Sequence, residues 1–288
     1  MHLPRSRGAQ CRYVVPMLTP NHSKLSASLL WTAVALVVPL AGCGDNPREV
    51  PAPLKLLAAG ASEASVRDEI GVFQTDSGLT VDATFGAVGA LRDQVLGGAA
   101  ADVMIVTPAI ITTLDAQALV HAGSRVDLGR IGGGLAVKTG TTAPVISTTE
   151  EFKQALLAAD EVYYADPAVA TAGAALIKVV DALGIGDQVR AKSHLGAGGK
   201  EAMQMLAQST AAHAVGVTQI SEIKSVPEVM LVGEYPPELQ VKTIYSAIIV
   251  ERTTRLADAQ KLVQFLSGPA FRARLAQSGF EPVPVARR

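Results

Sequence analysis

The chain has 288 residues, of which 49% are hydrophobic, 18% are charged and only 4% are aromatic. This composition indicates a globular protein of one large or two smaller domains, with a core built from small aliphatic side chains. The formal net charge of −1 argues against nucleic acid as a partner, because such binding needs a basic surface.

The N-terminal segment is predicted to be an export signal. An uncharged apolar run, LSASLLWTAVALVVPLAGC, follows Lys24 and has no basic stop-transfer flank after it, which is typical of a signal peptide rather than a membrane span. Its end, 40-LAGC-43, fits the bacterial lipobox, in which the cysteine carries the lipid. We therefore expect a lipoprotein signal peptide at 1–42, a tether at 43–53, and an anchor through Cys43 at the periplasmic face of a bacterial membrane. The alternative is an ordinary secretory signal with a chance cysteine.

The exported domain has no cysteine left, since Cys11 lies within the signal peptide and Cys43 is expected to carry the lipid. This excludes a disulfide, a thiolate metal site and a thiol nucleophile there. Its histidines are isolated and lack metal-ligand spacing: His121, His194 and His213. No nucleophile-elbow or paired-carboxylate pattern is present. We therefore expect no metal, no cofactor and no enzyme, and the sequence favours a binding protein.

From residue 54, strand and helix patterns alternate along the chain. The first set consists of strand 54–61, helix 63–78, strand 79–85, helix 89–98, strand 101–106 and helix 109–120. Strands that alternate with helices in this way predict parallel sheets with crossover helices.

A second set of elements begins after a glycine-rich stretch, 129-GRIGGGLAV-137, which is predicted to be a flexible crossover. It consists of strand 134–140, helix 149–159, strand 161–166, helices 173–183 and 198–209, strand 214–219, a possible edge strand 229–232, an apolar segment 241–251 that returns between lobes, and helices 256–266 and 269–278. The predicted fold is α/β with two lobes, the second inserted into the first. Lobe 1 is predicted to span 54–131 and 246–288, and lobe 2 to span 132–245.

Two helix starts are candidates for binding an anion, because the first N–H groups of a helix have no acceptor within it. In 196-GAGGKE-201, which lacks the spacing of a phosphate loop, Gly198 and Gly199 let a ligand approach the backbone closely. In 165-ADPAVATAGAAL-176 an Asp-Pro turn leads into a helix that starts near Thr171. The alternatives are a flexible turn for the first stretch and, for the second, a helix capped by Thr171 without a ligand.

Several stretches together resemble the periplasmic molybdate-binding proteins of ABC importers over nearly all of 54–283. They are the lipobox, LLAAGAS, TFGAVGALRDQV, ADVMIV, ADPAVATAG, AVGVTQISE and LSGPAFRARLAQSGFEPV, in this order. The resemblance implies a type II periplasmic binding fold, a monomer that closes over a small oxyanion and delivers it to a membrane permease driven by an ATPase.

The resemblance also implies a set of ligand-binding positions. In family members two hydroxyl groups donate hydrogen bonds to the oxyanion, and their positions correspond to Ala61, with Ser62 adjacent, and to Val88. A ligand-binding tyrosine of the family corresponds to Gln219. Backbone N–H donors match Ala172 and Glu201. Three side-chain donors have therefore changed, two of them to apolar residues.

Two ligand classes remain open. A molybdate- or tungstate-like oxyanion needs replacement hydroxyls, for which Ser62, Thr171 and Thr218 are candidates. A small organic anion would use Ala61 and Val88 as an apolar wall. In both cases Lys200 is expected to pair with the anion. A sensor domain and a secreted α/β enzyme are the further alternatives.

Overall fold

The computed structural model describes residues 52–284. The predicted signal peptide, Cys43 and almost the whole tether lie outside the described residues. Within 52–284, no helix is long and apolar enough to cross a membrane.

The described chain forms twenty helices and strands, besides a single 3-10 turn at Gly60–Ser62. The first group is β1 Leu54–Ala59, α1 Glu63–Ser77, β2 Val81–Gly86, α2 Val88–Leu96, β3 Val103–Val106, α3 Pro108–Asp115 and β4 Val126–Ile131. The second is β5 Gly133–Lys138, α4 Thr149–Ala158, β6 Glu161–Ala165, α5 Thr171–Ala182, α6 Gly186–Arg190, β7 Ser193–Gly196, α7 Gly199–Gln208, β8 Ala214–Gln219, α8 Ile220–Lys224 and β9 Val229–Glu234. The last is β10 Thr243–Ile249, α9 Leu256–Leu266 and α10 Pro269–Gln277.

The strands form two separate five-stranded sheets, which define two lobes. The first sheet has the order β2-β1-β3-β10-β4, and the second β7-β6-β8-β5-β9. In the first, β1 runs parallel to β2 and β3, whereas β10 is antiparallel to β3 and β4. In the second, β6 is parallel to β7 and β8, and β5 is antiparallel to β8 and β9. The predicted two-lobed α/β fold is confirmed, but both sheets are mixed and not parallel, because β10 and β5 run antiparallel to their neighbours.

Each sheet is covered by its own apolar core. Leu56, Ile105 and Ile248 are fully buried in the first lobe. In the second lobe Phe152 and Leu176 belong to one cluster, while a second cluster lies around α7, with Met203 and Leu206 fully buried. The second sheet is thus covered by two apolar clusters, as expected of a sheet flanked by crossover helices.

The chain passes between the sheets twice, at Gly132 and at 235–242. The two passages are tied together, because the Gln240 side chain accepts from the Gly133 N–H (3.0 Å) and donates to the Gly133 carbonyl (2.9 Å). The flexible crossover predicted for 129–137 is instead the end of β4 and the start of β5, joined through Gly132. The apolar segment 241–251 forms β10, a buried strand of the first sheet.

Four elements were missed by the sequence patterns. They are β4, α6, β7 and α8. The last three have only four or five residues each, and β4 carries Asp127 and Gly129 within its apolar run. Short or interrupted runs give too little periodicity to be recognised.

The first turn of α5 packs directly onto the end of β6, and Gly173 makes this approach possible. A Cβ at position 173 would lie 1.9 Å from the carbonyl oxygen of Ala165. The start of α5, and with it the Thr171 and Ala172 backbone, is therefore held in place by a glycine.

We expect Gly173→Ala to destabilise the protein by about 3 kcal/mol, or roughly 6–12 °C in Tm, because the added carbon overpacks against backbone. Gly71→Ala is the matched control, since position 71 is an exposed site inside α1 with nothing within 4 Å of the added carbon. That change should stabilise by about 0.5–1 kcal/mol. Equal thermal shifts for both variants would contradict this account of α5.

Candidate functional site

A cleft lies between the lobes, where the carboxyl ends of strands meet the starts of helices. Its lining from the first lobe is Ala59, Gly60, Ala61, Gly86, Ala87, Val88 and Tyr245. Its lining from the second lobe is Ala165, Ala170, Thr171, Ala172, Gly198, Gly199, Gln219 and Glu222. Ligands of α/β sheets bind at such places, beyond the carboxyl ends of the strands.

Three helices begin at this cleft without a side-chain cap. The N-cap residues of α2, α5 and α7 are Ala87, Ala170 and Gly198, and none of them accepts a hydrogen bond through a side chain. By contrast, α4 has a complete capping box, formed by Thr148 and Glu151. The first N–H groups of the three helices therefore present donors and positive dipole ends to one space, an arrangement that suits an anion.

The start of α5 also decides between the two interpretations of its sequence. Thr171 is the first residue of the helix, and the N-cap is Ala170. The hydroxyl of Thr171 therefore does not cap this helix, and the helix start remains available to a ligand.

Gln219 offers a second, independent sign of a ligand. Its side chain lines the cleft and is only 3% exposed, yet within the described residues its Oε1 atom has no hydrogen-bond partner. Its Nε2 atom lies 3.4 Å from the Thr243 hydroxyl. Buried polar atoms are normally paired, so a cleft-lining amide with a free oxygen indicates that a bound molecule completes its hydrogen bonds.

Glu222, like Tyr245, is a polar residue of the cleft that the sequence patterns did not predict. Its side chain is 7% exposed, and Oε2 accepts a hydrogen bond of 2.5 Å from the Thr218 hydroxyl. A Cβ added to Gly60 would lie 2.9 Å from Oε1, and one added to Gly199 would lie 2.0 Å from Oε2. The carboxyl thus lies between the backbones of the two lobes, and the glycines make room for it.

The surroundings of Glu222 change the pKa of its carboxyl group. Burial raises the pKa of this carboxyl, and the negative charge of Glu63 raises it further. The Thr218 hydroxyl and the N–H groups of Gln219 and Gly199 act in the opposite direction, because they stabilise the carboxylate. Burial dominates, so the pKa of Glu222 lies above its usual value.

Tyr245 completes the floor of the cleft from β10. Burial raises the pKa of its hydroxyl, and the nearby Glu222 adds to the shift. The hydroxyl therefore stays neutral at all physiological pH values and keeps its proton for hydrogen bonding.

The lobes are in contact across the cleft. The Gly89 N–H of α2 donates to the Val169 carbonyl at 2.9 Å, and Lys200 of α7 forms an ion pair with Glu63 of α1 at 3.0 Å. The space left inside is about 20 Å³ for the centre of a water molecule, room for about one water. A larger solute therefore requires the lobes to move apart before it can bind.

Comparison with known proteins places this architecture in a family. The family described as "Bacterial extracellular solute-binding protein" matches residues 54–281. The chain belongs to this family.

Individual relatives of this solute-binding protein differ in their names. A curated protein of Pseudomonas sp., named aconitate isomerase, is 28% identical over 238 residues, which cover 81% of this chain and 88% of that protein. The periplasmic molybdate-binding protein of Azotobacter vinelandii has a similar structure, with a TM-score of 0.67 at 21% identity, covering 81% of this chain and all of that one. The sulfate-binding protein SubI of Mycobacterium tuberculosis H37Rv reaches 0.65 at 17% identity, covering 81% and 88%. The two structures support the fold alone.

The structure brings five of the predicted ligand-binding residues together in the cleft: Ala61, Val88, Thr171, Ala172 and Gln219. It also assigns the predicted replacement hydroxyls to contacts within the protein. Ser62 donates to the Ala59 carbonyl at 2.8 Å, and Thr218 donates to Glu222. Of the three candidates, only Thr171 lines the cleft.

The two charged candidates of α7 also have partners within the protein. The Glu201 carboxylate accepts from the Ala197 N–H at 2.7 Å, and Lys200 pairs with Glu63. Neither lines the cleft. In this structure Lys200 forms an ion pair between the lobes, and its pairing with the anion remains a prediction.

Electrostatics favour this ion pair over a wide pH range. Burial alone would raise the pKa of Glu63, but hydrogen bonds from Arg67 and Lys200 and their charges hold it below its usual value. A carboxyl with a lowered pKa stays ionised at neutral pH, and its contribution is lost only when the pH falls through that lowered value.

We expect Lys200→Ala and Glu63→Gln each to weaken ligand binding by about twofold to fivefold, because a partly exposed ion pair contributes roughly 0.5–1 kcal/mol to closure. Calorimetric titration with the anion that the protein binds most tightly measures the effect. Lys55→Ala removes an ion pair within the first lobe and is the control. If Lys200 instead contacted the ligand, Glu63→Gln would free its ammonium group and strengthen binding.

Proposed function

We propose that this solute-binding protein captures a small organic carboxylate between its lobes. The observation that carries the proposal is the make-up of the cleft, in which backbone N–H groups face an apolar wall. Ala61 is 2% exposed and Val88 is 5% exposed, and both line the cleft beside the uncapped helix starts. Carboxylate groups suit the N–H donors, and a carbon skeleton suits the wall.

A molybdate-type oxyanion is the second candidate, and the folds of the similar structures favour it. Its four oxygens call for donors on all sides, whereas Ala61 and Val88 supply none. Each hydrogen bond to a charged group contributes about 1.5–3 kcal/mol, so two missing hydroxyls lower affinity by roughly two to four orders of magnitude. With Ser62 and Thr218 engaged inside the protein, only the Thr171 hydroxyl lines the cleft as a replacement for the two lost donors.

An enzymatic role is a further candidate, against the expectation from the sequence. Two observations favour it: Glu222 is a buried carboxyl that lines the cleft, and a relative carries the name aconitate isomerase. The name of that relative refers to aconitate, which is a small carboxylate. Perturbed carboxyls in clefts are typical of proton-transfer sites.

A panel of anions tests the proposed ligand class. The exported protein is titrated with trans-aconitate, citrate and tricarballylate, and with molybdate, tungstate and sulfate, by calorimetry and thermal shift. We expect tighter binding of a carboxylate than of any tetrahedral oxyanion. Tight binding of molybdate with no response to the carboxylates would contradict the proposal.

Restoring the hydroxyls tests the reason for this preference. We expect Ala61→Ser combined with Val88→Ser to raise the affinity for molybdate at least tenfold, because each new hydroxyl donates to the anion. Ala99→Ser, at an exposed site, is the control and should leave the affinity unchanged. A parent protein that binds molybdate tightly, with no gain in the double variant, would show that the wall is not what excludes it.

We further propose that the protein delivers its ligand to an ABC permease and its ATPase while anchored to the membrane through Cys43. The family description and the lipobox support this arrangement. Cys43→Ser should move the protein from the detergent phase to the aqueous phase in phase partitioning. Partitioning that does not respond to the substitution would argue against a lipid at this position.

A further inference from the structure

We propose that the cleft catalyses a 1,3-proton shift on an unsaturated carboxylate, with Glu222 as the catalytic residue that moves the proton. The inference rests on the proposed carboxylate-binding function and adds an activity to it. Its basis is the placement of one carboxyl among donors that suit an anion.

Glu222 is held in one position, as an acid–base group must be. Thr218 donates to Oε2 at 2.5 Å, and Gly60 and Gly199 approach the two carboxyl oxygens from opposite lobes. Because Glu222 lines the cleft while being 7% exposed, its carboxyl reaches a bound molecule but is shielded from bulk water. Proton transfer requires such reach and such fixed geometry.

Within the described residues Glu222 has no cationic partner, and its charge is stabilised only by the Thr218 hydroxyl and the N–H groups of Gln219 and Gly199. Glu63 faces it from α1, and the Tyr245 hydroxyl faces it from β10. Lys200 of α7 is paired with Glu63, and within the described residues no ion pair includes Glu222. Burying such a carboxyl costs stability and does not help to hold an anion, so we infer that it serves chemistry.

The direction of its pKa shift also fits a proton carrier. Since burial raises the pKa of Glu222, its carboxylate is a stronger base than an exposed one, and its carboxylic acid is present closer to neutral pH. One group can then remove a proton and return it.

The reaction balances without an added reagent. The Glu222 carboxylate removes a proton from the saturated carbon next to the double bond, and the C–H electron pair forms a new double bond to the middle carbon. The former double-bond pair moves toward the adjoining carboxylate, whose oxygens take up the charge. Glu222 then returns the proton to the far carbon. The double bond has moved by one position, and the product is an isomer of the substrate.

The cleft supplies the stabilisation that this intermediate needs. The extra negative charge of the intermediate develops on the carboxylate oxygens of the substrate. The N–H groups of the uncapped helices α5 and α7 are placed to donate to these oxygens, and such donors stabilise the intermediate most because its charge is largest there. Glu222 itself is only 7% exposed, so competing protonation by bulk solvent is limited. In this proposal the Gln219 amide and the Tyr245 hydroxyl orient the other polar groups of the substrate.

The test compares the exported parent protein with Glu222→Gln, using cis-aconitate and trans-aconitate as probes. Proton NMR in D₂O follows both isomerisation and the incorporation of deuterium. We expect the parent to interconvert the isomers and Glu222→Gln to lose activity by about 10²–10⁴-fold while still binding trans-aconitate, because glutamine keeps the shape but cannot carry the proton. Glu251→Gln, an exposed glutamate paired with His121, is the matched control with parental activity.

A pH profile provides a second readout that does not depend on this variant folding. The Thr218 hydroxyl stabilises the Glu222 carboxylate, so Thr218→Val should raise the pKa further and move the rise of kcat/KM to higher pH. An unshifted profile would argue against Glu222 as the base.

The outcomes separate the two proposals. A parent that binds aconitate but neither isomerises it nor exchanges its protons overturns the proposed activity and leaves carboxylate binding intact. A parent that binds none of the carboxylates overturns both. Parental rates in Glu222→Gln would show that another residue moves the proton.

Discussion

Helix starts that lack a side-chain cap are the constraint on which this cleft depends. The helices α2, α5 and α7 all start where the lobes meet, and none has a side-chain cap there. Donors left unsatisfied at a buried helix end are costly, so each needs an acceptor from the protein, from water or from a ligand. The protein supplies part of what is needed, through the Val169 carbonyl at α2 and the Glu222 carboxylate at α7, and an anion can supply the rest.

Glu222 also limits which anion can supply these acceptors. When ionised, it competes for the Gly199 and Gln219 N–H groups and repels a second negative charge. When protonated, it is a neutral donor beside the bound molecule. Ala61 and Val88 contribute no hydroxyl groups to the cleft. The proposed ligand, with separated carboxylates on a carbon frame, fits these features because its carboxylates meet the N–H donors and its carbon frame meets the apolar wall.

The sequence predicts the lobes and the place of the cleft, because strand ends and helix starts are encoded locally in periodicity and glycine. It does not reveal that Glu222 lines the cleft or that Lys200 pairs with Glu63. Burial of Glu222 depends on the approach of Gly60 and Gly199 from different lobes. The pairing of Lys200 with Glu63 joins residues 137 positions apart, which no local pattern records. The burial of Glu222 and the Lys200–Glu63 pair both require the two lobes to be in contact. The loss of hydroxyl donors at Ala61 and Val88 can be predicted from the sequence, because each lies within a short local motif.

The ion pair between the lobes and the ionisation of Glu222 are linked through Glu63. In the closed structure burial raises the pKa of Glu222, in the second lobe, and the charge of Glu63, in the first lobe, raises it further. Lys200 pairs with Glu63 in the same structure and so neutralises part of that charge. The same ion pair that holds the lobes together therefore also moderates how basic the buried carboxyl becomes.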